Sequence, residues 1–239
     1  MNFAIIAAGD GSRLKNEGVT VQKPLVKING SPMIYTIINS AINSGATSIS
    51  IIINEYSIEL KEYLNSLNFS IPINIVQKTT PSSMHSLFEL AGYLDRHPFF
   101  LVTADTVYRE DEFLNYVDYC KANTCFDAIL AVTEFVDDEK PLSVKLDANN
   151  KILRFEDSIG NNQFITGGLY YFRSDIFSEM EYALENKITR LRNFLRLLLD
   201  KEHQIYAFPF SKMIDVDHAE DIKKAEAFLT SANNNIIEK

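Results

Sequence analysis

A glycine-rich turn that carries an arginine, followed closely by a lysine, gives this sequence side chains that can bind a polyphosphate. The turn is Gly9-Asp10-Gly11-Ser12-Arg13-Leu14, and it directly follows the apolar segment Phe3-Ala4-Ile5-Ile6-Ala7-Ala8. Lys23 comes nine residues after Leu14. Backbone N–H groups in such a turn point toward a bound anion, and arginine can pair with two phosphate oxygens at once. We therefore expect a phosphate cradle at residues 9–13, with Lys23 beside it.

Two commoner phosphate-binding motifs do not fit this turn. A dinucleotide-binding fingerprint has a third glycine where the helix meets the sheet, and Arg13 and Leu14 occupy that region here. A Walker loop ends in Gly-Lys-Ser/Thr after four variable residues, and the turn lacks that ending. The remaining interpretations are a phosphate cradle of another type and a tight strand–helix turn with an exposed arginine. The return of Lys23 favours the cradle.

Aspartates in two other segments are candidates for holding a metal ion. Asp105 follows the apolar segment 99–103, and a carboxylate at the mouth of a parallel sheet suits Mg²⁺, which prefers oxygen ligands. The alternative is an aspartate that only forms a turn. Asp215 and Asp217 share one face of an extended segment, and we expect the second ligand from this pair, with Asp217 preferred. Asp217 could instead cap the last helix.

The elements that would position these residues alternate along the first half of the chain. Strand-like segments at residues 3–8, 48–53, 71–76 and 99–103 are separated by helical patterns at residues 32–43, 58–67 and 84–94. Such alternation predicts a mainly parallel sheet covered by helices on both faces. Ligands bind at the carboxyl ends of the strands in such sheets, where the glycine-rich turn and Asp105 both lie. After Asp127 the strands are separated by turn signals, which predicts a more antiparallel region.

The charge and composition of the chain limit its partners. The sequence has 23 basic and 32 acidic residues, a net charge of −9, which repels nucleic acid and anionic membranes. An anionic ligand must therefore enter a locally basic pocket. No apolar run approaches 18 residues and the first strand leaves no room for a signal peptide, so we expect a soluble, cytoplasmic protein. Cys120 and Cys125 lack metal-binding spacing and are expected to be buried or free thiols.

Three segments together resemble the nucleotidyltransferase superfamily, which includes sugar-1-phosphate nucleotidylyltransferases, phosphocholine cytidylyltransferases and molybdopterin guanylyltransferases. The segments are residues 7–14, 23–25 and 29–34. The resemblance implies the nucleotide-diphospho-sugar transferase fold, a three-layer α/β/α Rossmann-like arrangement with a mostly parallel mixed sheet and a small antiparallel subsheet. It also implies Mg²⁺ as cofactor and transfer of a nucleoside monophosphate from an NTP to a phosphorylated acceptor. The implied nucleotide-binding residues of this loop are Ala8, Gly9, Gly11, Ser12, Arg13 and Lys23, of which Arg13 and Lys23 are catalytic.

The resemblance also implies how the base is bound. A glutamine at the position of Gln77 reads the base, and a small pair five residues later lets the base lie against the backbone. That pair is Ser82-Ser83 in this sequence, where the family has Gly-Thr or a similar pair. The alternative for Ser82 or Ser83 is a cap on the helix predicted from Met84, and both roles are compatible.

The acceptor-binding residues implied by the resemblance depart further from the family pattern. Sugar-nucleotide enzymes have a Glu-Lys pair after a strand, and here Glu156 is followed by Asp157, which removes a cation that would hold the sugar phosphate. Ser143 stands where a glycine is usual. The small-Gly turn is preserved, so the implied acceptor-binding residues are Glu156, Thr166, Gly167 and Gly168.

We expect one NTP-transferase domain over residues 1–230 and a polar tail at residues 231–239. Its parts are a nucleotide-binding half at about 1–126, an acceptor-binding lobe at about 127–212, and a closing segment with a helix at about 213–230. The predicted partners are an NTP and a small phosphorylated acceptor, first a sugar 1-phosphate, with no nucleic acid or membrane and an undetermined oligomeric state. Alternatives are a cytidylyltransferase for phosphocholine or a similar phosphate, a glycosyltransferase that uses a nucleotide sugar, and an inactive nucleotide-binding module.

Overall fold

Strands and helices alternate through the first half of the chain, as the sequence predicts. The structure is a computed structural model that describes residues 1–94, 97–137, 140–160 and 164–234. Its strands are β1 Asn2–Ala7, β2 Lys27–Ile28, β3 Ser31–Pro32, β4 Ser48–Ile53, β5 Ile73–Gln77, β6 Phe99–Thr103, β7 Thr106–Val107, β8 Ala128–Thr133, β9 Ser143–Leu146, β10 Ile152–Glu156, β11 Phe164–Phe172, β12 Ile205–Phe210 and β13 Ile214–Asp215. Its helices are α1 Ser12–Asn16, α2 Met33–Asn43, α3 Ile58–Ser66, α4 Ser83–Glu89, α5 Ala91–Leu94, α6 Glu110–Ala122, α7 Met180–Glu185, α8 Leu191–Asp200 and α9 Ala219–Asn234, with 3₁₀ turns at Lys23–Leu25 and Ser174–Glu179.

The first half of the chain forms the parallel part of a large sheet, with β1 at its centre. β1 pairs in parallel with β4 on one side and β6 on the other, so that Ile5 lies opposite Ile51 and Val102. β5 extends this part beyond β4. Apolar side chains are buried on both faces of β1, β4 and β6, which is the usual state of parallel strands. The carboxyl ends of these strands meet at one edge of the sheet.

The second half of the chain adds antiparallel strands beside β6. β11 runs antiparallel to β6 and to β8, and the hairpin of β9 and β10 joins the first residues of β11. The strand order is β10-β9-β11-β6-β1-β4-β5, with β8 also paired to β11 and to the parallel strand β12. The predicted α/β fold class, a mixed sheet with a small antiparallel part, is therefore confirmed.

Helices cover both faces of the sheet and complete the three layers. One apolar cluster packs α2, α3 and α6 against one face, through side chains such as Ile34, Leu60 and Phe113. A second cluster packs α4, α5 and α8 against the opposite face, through side chains such as Met84 and Phe194. The side chains that form both clusters are buried, and burial of apolar surface supplies the main driving force for folding.

A third and smaller apolar cluster fixes the loops at the carboxyl edge of the sheet. It includes Leu14 of α1, Ile28 of β2, Val107 of β7, and Val216 and Phe228 near and on α9. Two short antiparallel ladders support it, β2 with β3 and β7 with β13. Because the cluster joins α1, β7 and the start of α9, it brings the segments around residues 13, 105 and 217 to the same edge.

Some elements differ from the sequence prediction. The helix predicted at residues 84–94 is divided into α4 and α5, and the strand predicted at residues 71–76 is β5, Ile73–Gln77. α9 continues to Asn234, into the segment predicted to be a polar tail, of which residues 235–239 lie outside the described residues. Within the described part of the chain, no helix is long and apolar enough to cross a membrane.

Candidate active site

The loop after β1 takes its shape from Gly11. Gly11 has a φ of +60°, a left-handed conformation that glycine adopts without the steric penalty of a side chain. A Cβ added to Gly11 would lie 3.0 Å from the Cβ of Lys23, so the glycine allows the two segments to approach closely. The backbone N–H of Ser12 donates to Oδ1 of Asp10 at 3.2 Å, where the chain turns into α1.

Lys23 lies between two of the predicted metal ligands. Its Nζ is 2.7 Å from Oδ2 of Asp105 and 2.6 Å from Oδ1 of Asp217. The Lys23 side chain is only 11% exposed, whereas those of Asp105 and Asp217 are 34% and 35% exposed. The lysine therefore reaches the carboxylates from inside the protein, and the carboxylates face the solvent.

The pKa values of this cluster reflect strong pairing. Burial alone would lower the pKa of Lys23, but the carboxylates of Asp105 and Asp217 raise it well above its ordinary value. Burial alone would raise the pKa of Asp105, and the ammonium of Lys23 nevertheless holds it below its ordinary value. Lys23 is therefore protonated and Asp105 ionised at neutral pH.

Arg13 adds a second cation on the other side of Asp217. Its Nη1 is 2.6 Å from Oδ2 of Asp217, so both oxygens of that carboxylate are paired with cations. The expected alternative, a cap on the last helix by the Asp217 side chain, is not what the structure contains. Asp221 accepts hydrogen bonds from the backbone N–H groups of Asp217 and His218, and Glu17 accepts one from Ala219.

Asp215 has a different environment from Asp217. Its Oδ1 accepts a hydrogen bond of 3.0 Å from the hydroxyl of Thr106, and its backbone belongs to the β7–β13 ladder. The structure thus joins Asp105 and Asp217 through one lysine and links Asp215 to a neighbouring hydroxyl. The preference for Asp217 over Asp215 as the second metal ligand stays a prediction.

The cluster lines an open cleft of about 320 Å³. The cleft is lined by Gly9, Asp10, Gly11, Ser12, Arg13, Lys23, Asp105 and Asp217. Among the described residues, no group of three or more His, Cys, Asp and Glu side chains is arranged to hold a metal ion. This donor set still fits Mg²⁺, because that ion commonly takes one or two carboxylates and completes its shell with waters and substrate phosphates.

The predicted small-Gly turn forms a bulge in β11 that touches the same edge of the sheet. The register between β11 and β8 shifts between Thr166 and Tyr170, and Gly168 has a φ of +73°. A Cβ on Gly167 would overlap the Met213 side chain, and one on Gly168 would overlap the hydroxyls of two threonines, Thr103 and Thr106. The glycines therefore allow close packing against residues next to Asp105 and Asp215.

The side chain of Gln77 is held by protein groups. Its Nε2 donates to the carbonyl of Glu55 at 2.8 Å, and its Oε1 accepts from Nζ of Lys61 at 2.7 Å. Gln77 lies at the carboxyl end of β5, as the sequence predicts for a residue that reads the base. The amide keeps a second N–H and a second oxygen lone pair for a ligand, because these two hydrogen bonds use only one of each.

Ser82 and Ser83 connect two helices. Their hydroxyls accept hydrogen bonds from the backbone N–H groups of Arg190 and Leu191, at 3.0 and 3.2 Å, at the start of α8. The alternative expectation, a side-chain cap on the helix from Met84, is wrong, because Ser82 at the start of α4 makes no side-chain hydrogen bond to the backbone N–H groups of the first turn, and its hydroxyl lies 2.9 Å from Nδ1 of His85. The serines support the amino end of α8 instead, where unpaired N–H groups need partners.

Hydrogen bonds and ion pairs surround the positions of the acceptor-binding lobe at which the sequence departs from the family pattern. Glu156 Oε1 is 2.7 Å from Nε of Arg154, and the Ser143 hydroxyl donates to the carbonyls of Glu156 and Ser158. Asp157, which replaces the expected lysine, is 3.3 Å from Arg192 and 2.8 Å from Arg196. The two arginines of α8 thus bring positive charge to the position where the sequence lacks a lysine.

Sequence reasoning missed several residues that support the site. Asn54 donates to the carbonyl of Ala8 at 3.5 Å and accepts from the backbone of Tyr56 and the hydroxyl of Thr79, so it links the ends of β1, β4 and β5. Glu17 is a second such residue, since its carboxylate pairs with His218 at the start of α9. An asparagine directly after a buried strand was a usable signal for Asn54, whereas the pairing of Glu17 spans 201 positions and has no local signal.

A comparison of the sequence with known families defines the class of protein to which this α/β fold and its cleft belong. The model of the nucleotidyl transferase family matches residues 4–232. The chain therefore belongs to the nucleotidyl transferase family, as the glycine-rich turn and the segment around Lys23 indicate.

Individual relatives and solved structures agree with this membership. The chain is 29% identical over 222 residues to mannose-1-phosphate guanyltransferase of Saccharomyces cerevisiae, covering 87% of the chain and 58% of the relative. It is 30% identical over 114 residues to 2-aminoethylphosphonate cytidylyltransferase of Lancefieldella rimae, covering 46% and 45%. The chain thus spans about half the length of these relatives. The structure of the inositol-1-phosphate CTP transferase of T. maritima superimposes with a TM-score of 0.78 at 18% identity, covering 96% of each chain, which shows a shared fold.

Proposed function

We propose that this chain is a nucleotidylyltransferase that moves a nucleoside monophosphate from an NTP to a phosphorylated acceptor and releases pyrophosphate. The observation that carries the proposal is the cleft in which Arg13 and Lys23 lie beside Asp105 and Asp217. Two cations suit a triphosphate, and two carboxylates suit the divalent ion that accompanies it. The first candidate for the acceptor is a sugar 1-phosphate, as in the yeast relative.

In this proposal the loop and its two cations bind and orient the triphosphate. Backbone N–H groups of residues 9–11 would bind the phosphates, and Arg13 and Lys23 would stabilise the charge that develops on the departing pyrophosphate. Asp105 and Asp217 would hold Mg²⁺, with Asp215 as the alternative second ligand. When bound, Mg²⁺ would neutralise charge at the α-phosphate as a Lewis acid. Ala8, Gln77, Ser82 and Ser83 are proposed to lie near the nucleoside.

The acceptor needs no general base from the protein. Its phosphate has a second pKa of about 6 and is largely a dianion at neutral pH, so it can attack the α-phosphorus in line. The protein then contributes alignment and charge neutralisation. We propose that the acceptor lies against the Thr166-Gly167-Gly168 turn and Glu156, with Arg192 as the nearby cation that compensates for Asp157.

A cytidylyltransferase with a phosphonate or a non-sugar phosphate as acceptor is the second candidate. The observation that favours it is the similarity of part of the chain to an aminoethylphosphonate cytidylyltransferase, together with the absence of a lysine at position 157. Both candidates share the nucleotide half of the reaction and differ in the base and the acceptor.

Pyrophosphate release tests the proposal directly. The purified chain is incubated with Mg²⁺, each of the common NTPs in turn, and a panel of hexose 1-phosphates, heptose 1-phosphates, phosphocholine and aminoethylphosphonate. We expect release with one preferred NTP and only in the presence of one acceptor class. Release with no combination, while an NTP still binds, would contradict the enzyme assignment and favour an inactive nucleotide-binding module. Transfer of sugar from a nucleotide sugar would favour a glycosyltransferase.

A further inference from the structure

The position of Lys23 suggests a second role for this residue. Its ammonium lies between Asp105 and Asp217 at 2.7 and 2.6 Å, and the same two carboxylates are the residues that would hold a divalent cation. With Arg13 on the second oxygen of Asp217, both oxygens of that carboxylate are already paired with positive charge. Lys23 therefore acts as the counter-ion of the carboxylate pair.

Lys23 and a divalent cation compete for these carboxylates. Mg²⁺ is bound by carboxylate oxygens at about 2.0–2.1 Å, and it would then lie close to an ammonium that is itself within hydrogen-bond distance of the same atoms. Repulsion between a unit charge and a double charge at such a distance is strong, even near the protein surface. Metal binding by the carboxylates is therefore favoured when the ammonium of Lys23 leaves at least one of them.

The surroundings of Lys23 allow that movement while its backbone stays in place. Lys23 begins a 3₁₀ turn followed by the buried Pro24, and its Cβ lies against Gly11, so the start of the side chain is fixed. Its far end faces the main cleft, and Lys23 also lines a second hollow of about 130 Å³ bounded by Gly9, Gln22 and Asn54. Rotation of the side chain can therefore move the ammonium from the carboxylates toward the phosphate loop.

We propose that Lys23 is a placeholder cation: it keeps Asp105 and Asp217 paired and transfers to the phosphates when the nucleotide enters together with its metal. The inference rests on the proposed function, because it takes the triphosphate as the group that receives Lys23. It follows that the carboxylates bind free Mg²⁺ weakly, and that metal and nucleotide bind with strong positive coupling. Lys23 thus has a positioning role before the reaction in addition to its contact with substrate.

Binding of Mg²⁺ alone tests this role without any nucleotide. Isothermal titration calorimetry compares the wild-type chain with Lys23→Met, which keeps the length of the side chain and removes its charge. We expect the dissociation constant for Mg²⁺ to fall by roughly tenfold to a hundredfold in Lys23→Met. Lys15→Met is the matched control. Lys15 lines the neighbouring hollow, so this substitution removes the same charge close to the site. The control should change the constant by less than about threefold.

Thermal unfolding keeps the test informative if Lys23→Met is less stable. Without Lys23 the two carboxylates repel each other, so the variant should unfold at a lower temperature, and millimolar Mg²⁺ should restore much of the loss. The same Mg²⁺ should leave the wild-type midpoint almost unchanged. A double variant, Lys23→Met with Asp105→Asn, should lose both the tight binding and the restoration, which would assign the effect to this site.

The outcomes separate the placeholder role from the proposed function. Binding of Mg²⁺ to Lys23→Met that is no tighter than to the wild type would overturn the placeholder role, even if pyrophosphate is released normally. Tighter binding of Mg²⁺ to Lys23→Met than to the wild type, together with a wild-type chain that releases no pyrophosphate with any NTP and acceptor, would support the pairing of Lys23 with the carboxylates and contradict the proposed function.

Discussion

At the scale of single residues, the two neighbouring aspartates Asp215 and Asp217 offer a matched test of the site. Asp217→Asn removes a charge that pairs with Lys23 and Arg13, whereas Asp215→Asn leaves an oxygen that can still accept from Thr106. We expect Asp217→Asn to lower pyrophosphate release by about 10²–10³-fold, the usual loss when a group that organises transition-state charge is removed. Asp215→Asn should lower it by less than about fivefold.

Steady-state pyrophosphate release and circular dichroism of both variants check this prediction, with the spectra confirming that each variant is folded. Equal large losses in the two variants would contradict it and would indicate that Asp215 is also a ligand. Because the carboxylates are isosterically replaced by amides, neither substitution creates a cavity that could account for a loss of activity.

At the scale of elements, the start of α9 depends on a residue far away in the chain. Glu17 accepts a hydrogen bond of 2.7 Å from the backbone N–H of Ala219, and its other oxygen is 2.6 Å from Nδ1 of His218. Two hydrogen bonds lower the pKa of Glu17 from its ordinary value of 4.5. The bond from the Ala219 backbone has the larger effect and the bond from His218 the smaller. Since the folded-state pKa of this acid is depressed, its contribution to stability is present above its ordinary pKa and disappears as the pH falls through the folded-state value.

We therefore expect Glu17→Gln to unfold at a lower temperature than the wild type at pH 7, and the difference to vanish as the pH falls well below 4.5. Glu62→Gln is the control, since Glu62 is an exposed side chain of α3, and the unfolding midpoint of this variant should follow that of the wild type throughout. Calorimetric midpoints over this pH range check the prediction. A difference between wild type and Glu17→Gln that grows in acid would contradict it.

The elements also show how far the sequence determines the site. Strands β4 and β6 have the predicted bounds, because each is an apolar segment between clear turn signals. The ladders β2–β3 and β7–β13 have two residues per strand, too few for any periodicity to appear. Asp105 could be placed from sequence because it follows a parallel strand. The pairing of Asp217 with Lys23 spans 194 positions and depends on the third apolar cluster, so no local pattern could reveal it.

At the scale of the whole molecule, a net charge of −9 disfavours binding of a free NTP, which itself carries about three to four negative charges. Local cations admit the triphosphate, but Lys23 and Arg13 are engaged by carboxylates that would repel it. Nucleotide and Mg²⁺ should therefore bind well only as a pair. A ligand that binds only the native state raises the free energy of unfolding. The increase grows with the logarithm of the ligand concentration divided by its dissociation constant.

The unfolding midpoint of the whole chain measures this coupling. With Mg²⁺ and the preferred NTP at about 100 times its dissociation constant, stabilisation of about 2.7 kcal/mol should raise the midpoint by roughly 5–10 °C for a chain of this size. NTP with EDTA, and Mg²⁺ without NTP, should each raise it by less than about 2 °C. The NTP that gives the largest shift should be the one that supports pyrophosphate release, because the same base contacts act in both experiments. An equal shift with NTP in EDTA would contradict the coupling, since the carboxylates would then impose no requirement for the metal.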